Sequence, residues 1–264
     1  MAASANIDAF DALYEEYEQL SRENAVDISR RHVIRRFVED NLSPKSEFLE
    51  LNAGSGIDAL YFARKGHNVL ATDISRGSEA FINRKIAKHR HLQLRFQHCD
   101  FSDLSEINGT FDHIFSNFGG LNCTGDLSAV FDQLTRLVNP GGYVTLVVMP
   151  KWYPWEILSI VKGNKNAFRR FKKGGTSAQI GNESVHFHYH SPSAVKSAFP
   201  KSFEHVKTIN IGTFYPSGHF RFLDRFPMIL RALIKIDGKI NRLGIMPKGI
   251  GDYFIITFKK KADD

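Results

Sequence analysis

The chain is poor in cysteine and has no long apolar run, and both features limit what it can be. Its 264 residues include two cysteines, Cys99 and Cys123. Two thiols cannot build a cysteine-rich zinc site, and so few in a chain of this length favour reduced thiols in the cytoplasm. The longest central apolar run covers residues 144–149 and is interrupted by Thr145. A membrane-spanning helix needs roughly 18 apolar residues, so this run has the length of a strand.

The N-terminal segment lacks the basic start and the following apolar stretch of a secretory signal. Residues 1–20 instead carry five acidic side chains: Asp8, Asp11, Glu15, Glu16 and Glu18. The chain also shows no internal repeat and no low-complexity tract. With 42% hydrophobic and 24% charged residues, its composition is that of an ordinary globular protein. We therefore expect one folded cytoplasmic domain rather than a disordered, fibrous or membrane-spanning chain.

Charge is distributed unevenly along the chain. Residues 1–150 contain 15 basic and 20 acidic side chains, a net charge of −5, whereas residues 151–264 contain 20 and 8, a net charge of +12. This asymmetry suggests that the two parts have different tasks, although a basic solvated surface explains it equally well.

Hydrophobic periodicity alternates between helix and strand up to residue 149. Two helices are predicted within residues 8–41, and strands are predicted at 47–51, 67–74, 91–99, 111–115 and 143–149. Helices are predicted between most of these strands, and residues 139–142 are predicted to form a turn. Alternating strands and helices, with several strands apolar throughout, indicate a largely parallel sheet covered on both faces.

Beyond residue 149 the alternation stops. The patterns predict a helix over 152–170, a strand near 185–189, a short helix over 193–199 and a strand over 203–211. A basic amphipathic helix follows over 219–236, interrupted near Pro227, and a last strand covers 253–258.

A glycine turn joins the first predicted strand to the helix that follows it. Gly54 and Gly56 allow a tight turn and close approach of a ligand, and the helix offers unpaired N–H groups to negative charge. With Ala59 the turn also fits the dinucleotide-binding pattern. Asp73 lies 19 residues after Gly54, where its carboxylate suits the ribose hydroxyls of any nucleoside ligand. Taken alone, the turn is also compatible with simple helix–sheet packing.

Three further features distinguish between nucleoside ligands. Glu50 precedes the turn, where a carboxylate suits a cationic amine better than a pyrophosphate. Asp100 and Phe101 follow the third strand, where they suit an adenine amino group and its ring. The chain also lacks a second Rossmann half.

As an ordered set, these motifs resemble class I S-adenosylmethionine-dependent methyltransferases. The resemblance covers about residues 10–150 and the last strand. It rests on residues 48–56 (FLELNAGSG), 71–75 (ATDIS), 99–101 (CDF), 111–114 (FDHI) and 139–142 (NPGG). It implies a single α/β domain with a Rossmann-like, seven-stranded, mostly parallel sheet whose last strand is antiparallel. Within it we expect an N-terminal helical lid (8–41), a cofactor-binding core (46–149), a substrate-side region with insertions (150–247) and the last strand (250–260).

The resemblance also implies which residues hold S-adenosylmethionine. Glu50 and the backbone of Asn52, Gly54 and Gly56 would hold the methionine part, with Tyr17 contacting it from the lid unless that ring packs in the core. The nucleoside would be held by Asp73 at the ribose and by Ile74, Asp100 and Phe101 at the adenine, and Asn117 and Phe118 would face the sulfonium. The family usually has a glycine where this chain has Asn52, and because Asn tolerates unusual backbone angles better than most residues, we expect cofactor binding to survive this departure.

The sequence identifies no catalytic residue. His186, His188 and His190 alternate and therefore point to one side of a strand. One of them is a weak candidate for a general base, an ordinary strand remains the main expectation, and no metal site is predicted. His113 is expected in the core of the fourth strand.

The substrate-side region offers Trp152 and Trp155 as apolar walls and Arg169 and Arg170 as contacts for an anion. The helix near 219–236 could contact lipid or pack on the domain. Nucleic acid is disfavoured, since no RNA-binding module is recognisable. We expect methyl transfer to O or N of a small-molecule or lipid-like acceptor. The basic charge of residues 151–264 favours an anionic acceptor. A non-enzymatic nucleoside-binding module and an NAD(P)-dependent oxidoreductase are the alternatives.

Overall fold

The computed structural model describes residues 18–19, 23–180, 183–218 and 221–262. Its first part alternates helices and strands after an N-terminal helix: α1 (Ala25–Glu39), β1 (Glu47–Leu51), α2 (Ile57–Arg64), β2 (Asn68–Asp73), α3 (Arg76–Lys88), β3 (Leu94–His98), β4 (Phe111–Ser116), α4 (Leu127–Leu137) and β5 (Val138–Val148). The second part contains α5 (Pro154–Leu158), β6 (Thr176–Ile180), β7 (Glu183–Phe187), α6 (Pro192–Ala198), β8 (Phe203–Ile211), α7 (Pro227–Leu243) and β9 (Tyr253–Lys260).

Within the described residues, seven strands form one sheet in the order β3-β2-β1-β4-β5-β9-β8. Neighbours among β1 to β5 pair in parallel, and β9 is antiparallel to both β5 and β8. The predicted Rossmann-like sheet with an antiparallel last strand is thus confirmed. Because the parallel strands all run the same way, the loops that follow β1, β2, β3, β4 and β5 meet at one edge, the usual ligand position of an open α/β sheet. We call this the carboxyl edge.

Two apolar layers cover the sheet. One face packs under α4 and α6, where the Phe199 ring stacks on Phe131 and Phe258 at centroid distances of 4.2 and 3.7 Å. The other face packs under α1, α2 and α7, where Phe48 stacks on Phe62 at 4.5 Å. Because helices cover the sheet on both faces, β1 and β4 are buried along almost their whole length instead of alternating between buried and exposed residues.

Several local predictions differ from the structure. The predicted helix over 152–170 is wrong beyond its start: α5 ends at Leu158, a 3-10 turn follows, and Gly163 takes a left-handed φ of +78° that ends it. The predicted turn at 139–142 belongs to the long strand β5, whose pairing with β4 shifts register near Phe111 and His113. The strand predicted at 185–189 is β7, which forms a hairpin with β6, a strand that was not predicted.

The two cysteines and His113 have the states that the sequence predicts. Cys99 and Cys123 are both free thiols. His113 is fully buried, its Nε2 lies 3.0 Å from the Thr145 hydroxyl, and burial lowers its pKa to about 3. In the part of the chain that the structure describes, none of the helices combines the length and apolar character needed to cross a bilayer.

A buried ion-pair cluster joins β9 to α1 and to the segment after β5. The Asp252 carboxylate lies 2.9 Å from Arg30 Nη1 and 2.8 Å from Arg170 Nη2, and Glu156 lies 2.8 Å from Arg170 Nε. All four side chains are less than a tenth exposed. A carboxylate shared by two buried guanidiniums holds three distant chain segments together, and its loss would leave both charges uncompensated.

We therefore predict that Asp252→Ala lowers the free energy of unfolding by about 3–5 kcal/mol. The matched control is Glu79→Ala, which removes a surface carboxylate 3.9 Å from Arg76 and should cost at most about 1 kcal/mol. Urea denaturation followed by circular dichroism measures both. Equal losses in the two variants would contradict a structural role for the cluster.

Candidate active site

The loop after β1 has three residues with left-handed backbone. Asn52 and Gly54 both have φ of +56°, and Gly56, which precedes α2, has φ of +71°. A Cβ on Gly56 would lie 2.6 Å from Ile82 Cγ1, so the close packing of α2 on α3 requires glycine there. Asn52 is among the residues that tolerate this conformation, and its Oδ1 accepts a hydrogen bond of 3.1 Å from the Ser116 hydroxyl. The departure from the family pattern is therefore accommodated by a tie between the ends of β1 and β4.

Asp73 lies at the end of β2, directly beside this loop. Its Oδ2 accepts the Gly54 N–H at 2.8 Å and its Oδ1 accepts the Ser75 N–H at 2.9 Å. Each carboxylate oxygen has two lone pairs, so both oxygens keep one for a ligand hydroxyl. Ile74 follows with 59% of its surface exposed, an apolar side chain at the rim of the loop.

Glu50, the fourth residue of β1, is buried beneath the glycine turn. Its Oε2 has no hydrogen-bond partner within the described residues. Burial raises the pKa of this carboxyl well above its usual range, and the nearby Asp58 raises it further. Buried polar atoms are nearly always paired, so an unpaired carboxyl oxygen under a ligand-type loop suits a ligand that brings a hydrogen-bond donor or a cation to this point.

A second buried carboxylate, Asp58, lies in the first turn of α2. Arg31 and Arg35 of α1 both pair with it, Arg35 Nε at 2.7 Å, and Asn117 Nδ2 donates to it at 2.7 Å. Burial works to raise the pKa of Asp58, but the two guanidiniums outweigh it and the pKa is lowered. Sequence reasoning missed this cluster. Its signal was the i, i+4 spacing of two arginines on one helix face, with an acid just after the glycine turn.

The Asp58 cluster determines where two predicted cofactor residues lie. Because the Asn117 amide is held by Asp58, its Oδ1 turns to accept the N–H of Phe118 at 2.8 Å. Phe118 has a left-handed φ of +46°, and its ring lies under Arg31 and edge-on to Tyr253, with a centroid distance of 5.5 Å to the latter. The end of β4 thus presents an aromatic wall at the carboxyl edge rather than a free amide.

Asp100 and Phe101 follow β3 at the same edge. Asp100 Oδ1 accepts the Ser102 N–H at 2.8 Å, and Phe101 is half-buried against the core. The structure thus brings to the carboxyl edge all the predicted cofactor residues that it describes. Tyr17 lies outside the described residues.

The three alternating histidines share one side of the chain, as their spacing predicts. Ring centroids of His186 and His188 are 4.8 Å apart, and those of His188 and His190 are 6.4 Å apart. The backbone N–H of His188 donates to the Asn122 carbonyl at 2.7 Å, and the backbone N–H of His190 donates to the Met149 carbonyl at 3.3 Å. This backbone therefore crosses the ends of β4 and β5.

The roles open to the three rings differ. His186 Nε2 donates to the carbonyl of Gly174, which lies just before β6. His190 Nε2 donates to the Thr124 carbonyl at 3.0 Å, and burial lowers its pKa. His188 has no side-chain hydrogen bond to the described part of the chain. The described residues contain no cluster of three or more His, Cys, Asp or Glu side chains suited to a metal ion.

The four predicted substrate contacts have unequal surroundings. Trp152 is 58% exposed and lies edge-on to Phe171, and Trp155 Nε1 donates to the Thr213 carbonyl at 3.1 Å. Arg169 is exposed and pairs with Glu156. Arg170 belongs to the buried Asp252 cluster, so its charge is already compensated and the structure gives it a packing role. Arg169 is the more exposed of the two arginines, although it also pairs with Glu156.

Known proteins match the part of the chain that contains the glycine turn and the first strands of the sheet. Residues 48–142 match the family model of a methyltransferase domain. A glycine/sarcosine/dimethylglycine N-methyltransferase of Actinopolyspora halophila is 33% identical over 129 residues, 48% of this chain and 22% of that protein. A demethylmenaquinone methyltransferase of Streptomyces avermitilis is 29% identical over 151 residues, 56% of this chain and 62% of that protein. The chain therefore spans less than two thirds of the length of either relative.

Solved structures share the fold. The 1,6-didemethyltoxoflavin-N1-methyltransferase of Burkholderia thailandensis, solved with S-adenosylhomocysteine, superposes with a TM-score of 0.54 at 17% identity. The match covers 98% of this chain and 89% of that one.

The buried carboxylate generates a prediction on stability. Glu50→Gln keeps the side-chain shape but removes the charge. Because the folded pKa is raised above the ordinary 4.5, the folded state holds a proton that the unfolded state releases, and this residue's contribution to stability falls as the pH rises. The variant lacks this loss of stability, so its advantage in the free energy of unfolding over the parent should grow as the pH rises above the ordinary value of 4.5.

Urea denaturation at several pH values measures this difference. Glu106→Gln, which removes an exposed carboxylate, is the comparison for the loss of a surface charge. If the curves of Glu50→Gln and the parent run parallel, Glu50 does not carry the buried charge assigned to it.

Proposed function

We propose, from the match of residues 48–142 to a methyltransferase domain, that this chain is a class I S-adenosylmethionine-dependent methyltransferase, which transfers a methyl group from S-adenosylmethionine to O or N of a small-molecule or lipid-like acceptor. The observation that carries the proposal is the buried, unpaired Oε2 of Glu50 beneath the glycine turn. A ligand that brings an ammonium group to this point supplies the partner that the oxygen lacks.

The other residues of the carboxyl edge suit the rest of the cofactor. The backbone of Asn52, Gly54 and Gly56 faces the methionine part, and the free lone pairs of Asp73 accept the ribose hydroxyls. Ile74 and Phe101 would hold the adenine ring, and Asp100 would accept from its amino group. Asn117 acts indirectly, since its amide is held by Asp58 and positions Phe118 toward the sulfonium.

S-adenosylmethionine, when bound, supplies a methyl group on a good, neutral leaving group. The protein's task is then to hold the acceptor in line with that methyl group and to exclude water. Phe118 and Tyr253 supply an apolar wall for this purpose. A base is needed only if the acceptor must lose a proton, and His188 and His190 lie nearest to the ends of β4 and β5.

The acceptor is proposed from the relatives and from the charge of the second part of the chain. The relatives' names refer to glycine-type amines and to demethylmenaquinone, which are small molecules. The net charge of +12 over residues 151–264 and the exposed Arg169 favour an acceptor with an anionic group. Trp152 and Trp155 supply apolar surface beside it. A cytoplasmic location is part of the same proposal.

The charges behind the glycine turn argue against an NAD(P)-dependent oxidoreductase. Glu50 is buried there with an unpaired Oε2, so a pyrophosphate at that point would meet a carboxylate that no cation pairs with. A nucleoside-binding module without activity shares the whole site, so only turnover separates it from an enzyme.

Incubation with methyl-labelled S-adenosylmethionine and fractionated cell extract tests the function. Label should appear in a metabolite or lipid fraction, and only with the active protein. Calorimetry should detect S-adenosylhomocysteine and not NAD. Binding without label transfer to any fraction favours the module, and tight NAD binding with no response to S-adenosylhomocysteine refutes the proposal.

Asp73→Ala should weaken S-adenosylhomocysteine binding roughly 10-fold to 100-fold, because charge-assisted hydrogen bonds contribute about 1.5–3 kcal/mol. The variant loses the ribose acceptor and the tie to the Gly54 N–H. Calorimetry gives the affinity, with Asp103→Ala, an exposed carboxylate after β3, as the matched control. Unchanged affinity in Asp73→Ala would exclude Asp73 from the site.

A further inference from the structure

The side of α7 that faces away from the sheet carries an apolar stripe. Ile229, Ile236 and Leu243 follow one another at intervals of seven residues, so they share a face of the helix. Between 43% and 59% of each side chain is exposed. Met228, 81% exposed, and Ile245, 67% exposed, lie near the two ends of the stripe. Scattered exposed apolar residues are normal, but three of them on one helix face over about 21 Å, with further exposed apolar residues near both ends, mark an interaction surface.

The opposite side of α7 packs against the rest of the domain. Leu230 and Asp237 are buried, and Leu233 and Ile234 pack against the core. Asp237 accepts the N–H of Gly212 at 3.0 Å, which fixes the helix to the end of β8. The apolar stripe is therefore additional to the apolar face that α7 uses for packing.

A basic row borders the stripe. Arg231, Lys235, Lys239 and Arg242 recur at intervals of three and four residues and are all exposed. Asp237, the one acidic residue between Pro227 and Leu243, lies on the buried side. The outward face thus combines apolar side chains with four cations and no compensating carboxylate of its own.

The charge pattern decides between occupants of this face. A second copy packed against the same stripe would bring two rows of four like charges close together, which is unfavourable at low ionic strength. An anionic bilayer complements both features at once, because the apolar row enters the acyl boundary while the cations remain at the headgroups. Four cations in 17 residues suit a helix that lies on a surface rather than one that crosses it.

The structure therefore assigns, in our interpretation, a membrane-docking surface to this chain: the outward face of α7, with its apolar stripe and basic row, rests on an anionic lipid bilayer. The assignment goes beyond methyl transfer and does not depend on it, since it concerns binding of the protein alone.

Cosedimentation with vesicles tests the assignment. The protein should bind vesicles of phosphatidylcholine containing phosphatidylserine, bind phosphatidylcholine alone much more weakly, and lose binding as salt is raised. Lys235→Gln with Lys239→Gln should weaken binding roughly 30-fold, because each cation near an anionic surface contributes about fivefold. Ile229→Gln with Ile236→Gln should weaken it at least roughly tenfold through lost apolar burial.

Matched controls use exposed residues elsewhere. Lys88→Gln with Arg95→Gln removes two cations near the opposite edge of the sheet, and Leu158→Gln with Val161→Gln removes two exposed apolar side chains after β5. Both control pairs should bind as the parent does. Thermal unfolding verifies that each variant is folded.

Three results would overturn the assignment. Equal binding to neutral and anionic vesicles would remove the role of the basic row. If either control pair loses as much vesicle binding as the α7 variants, the docking surface does not lie on α7. A concentration-dependent dimer in sedimentation velocity that Ile229→Gln with Ile236→Gln abolishes would identify a second copy as the occupant.

Discussion

The site depends on two carboxylates buried behind one glycine turn. Asp58 is compensated by Arg31 and Arg35, so α1 must pack against the start of α2 before the charge is tolerated. Glu50 is left without an equivalent partner, and the negative charge of Asp58 adds to the cost of ionising it. The same arrangement that stabilises the fold therefore leaves a point where a cationic ligand is favoured.

Much of the fold and part of the site could be predicted from local sequence. A strand, a glycine turn and a helix place Glu50, Gly54 and Asp73 near one another in any α/β sheet, because parallel strands end at a common edge. The Asp58 cluster could not be predicted in this way, since its partners come from α1 and from the end of β4. Arg170 shows the same limit: its charge suggested an anion contact, but Asp252, far along the chain, compensates it.

The uneven charge of the chain acquires a spatial meaning in the structure. The acidic first part supplies the carboxylates of the carboxyl edge, while part of the basic second part lies in the exposed row of α7. Because α7 packs on β8, at the end of the sheet opposite β3, its docking surface is separate from the glycine turn. On this account, substitutions on α7 change the proposed bilayer attachment and leave the proposed cofactor site unchanged.

A crystal structure of the protein with S-adenosylhomocysteine tests the central claim most directly. The account predicts the ligand's amino nitrogen within about 3.2 Å of Glu50 Oε2, so that the unpaired oxygen acquires its partner. A ligand bound elsewhere, or one at the carboxyl edge that leaves Glu50 Oε2 unpaired, would contradict it.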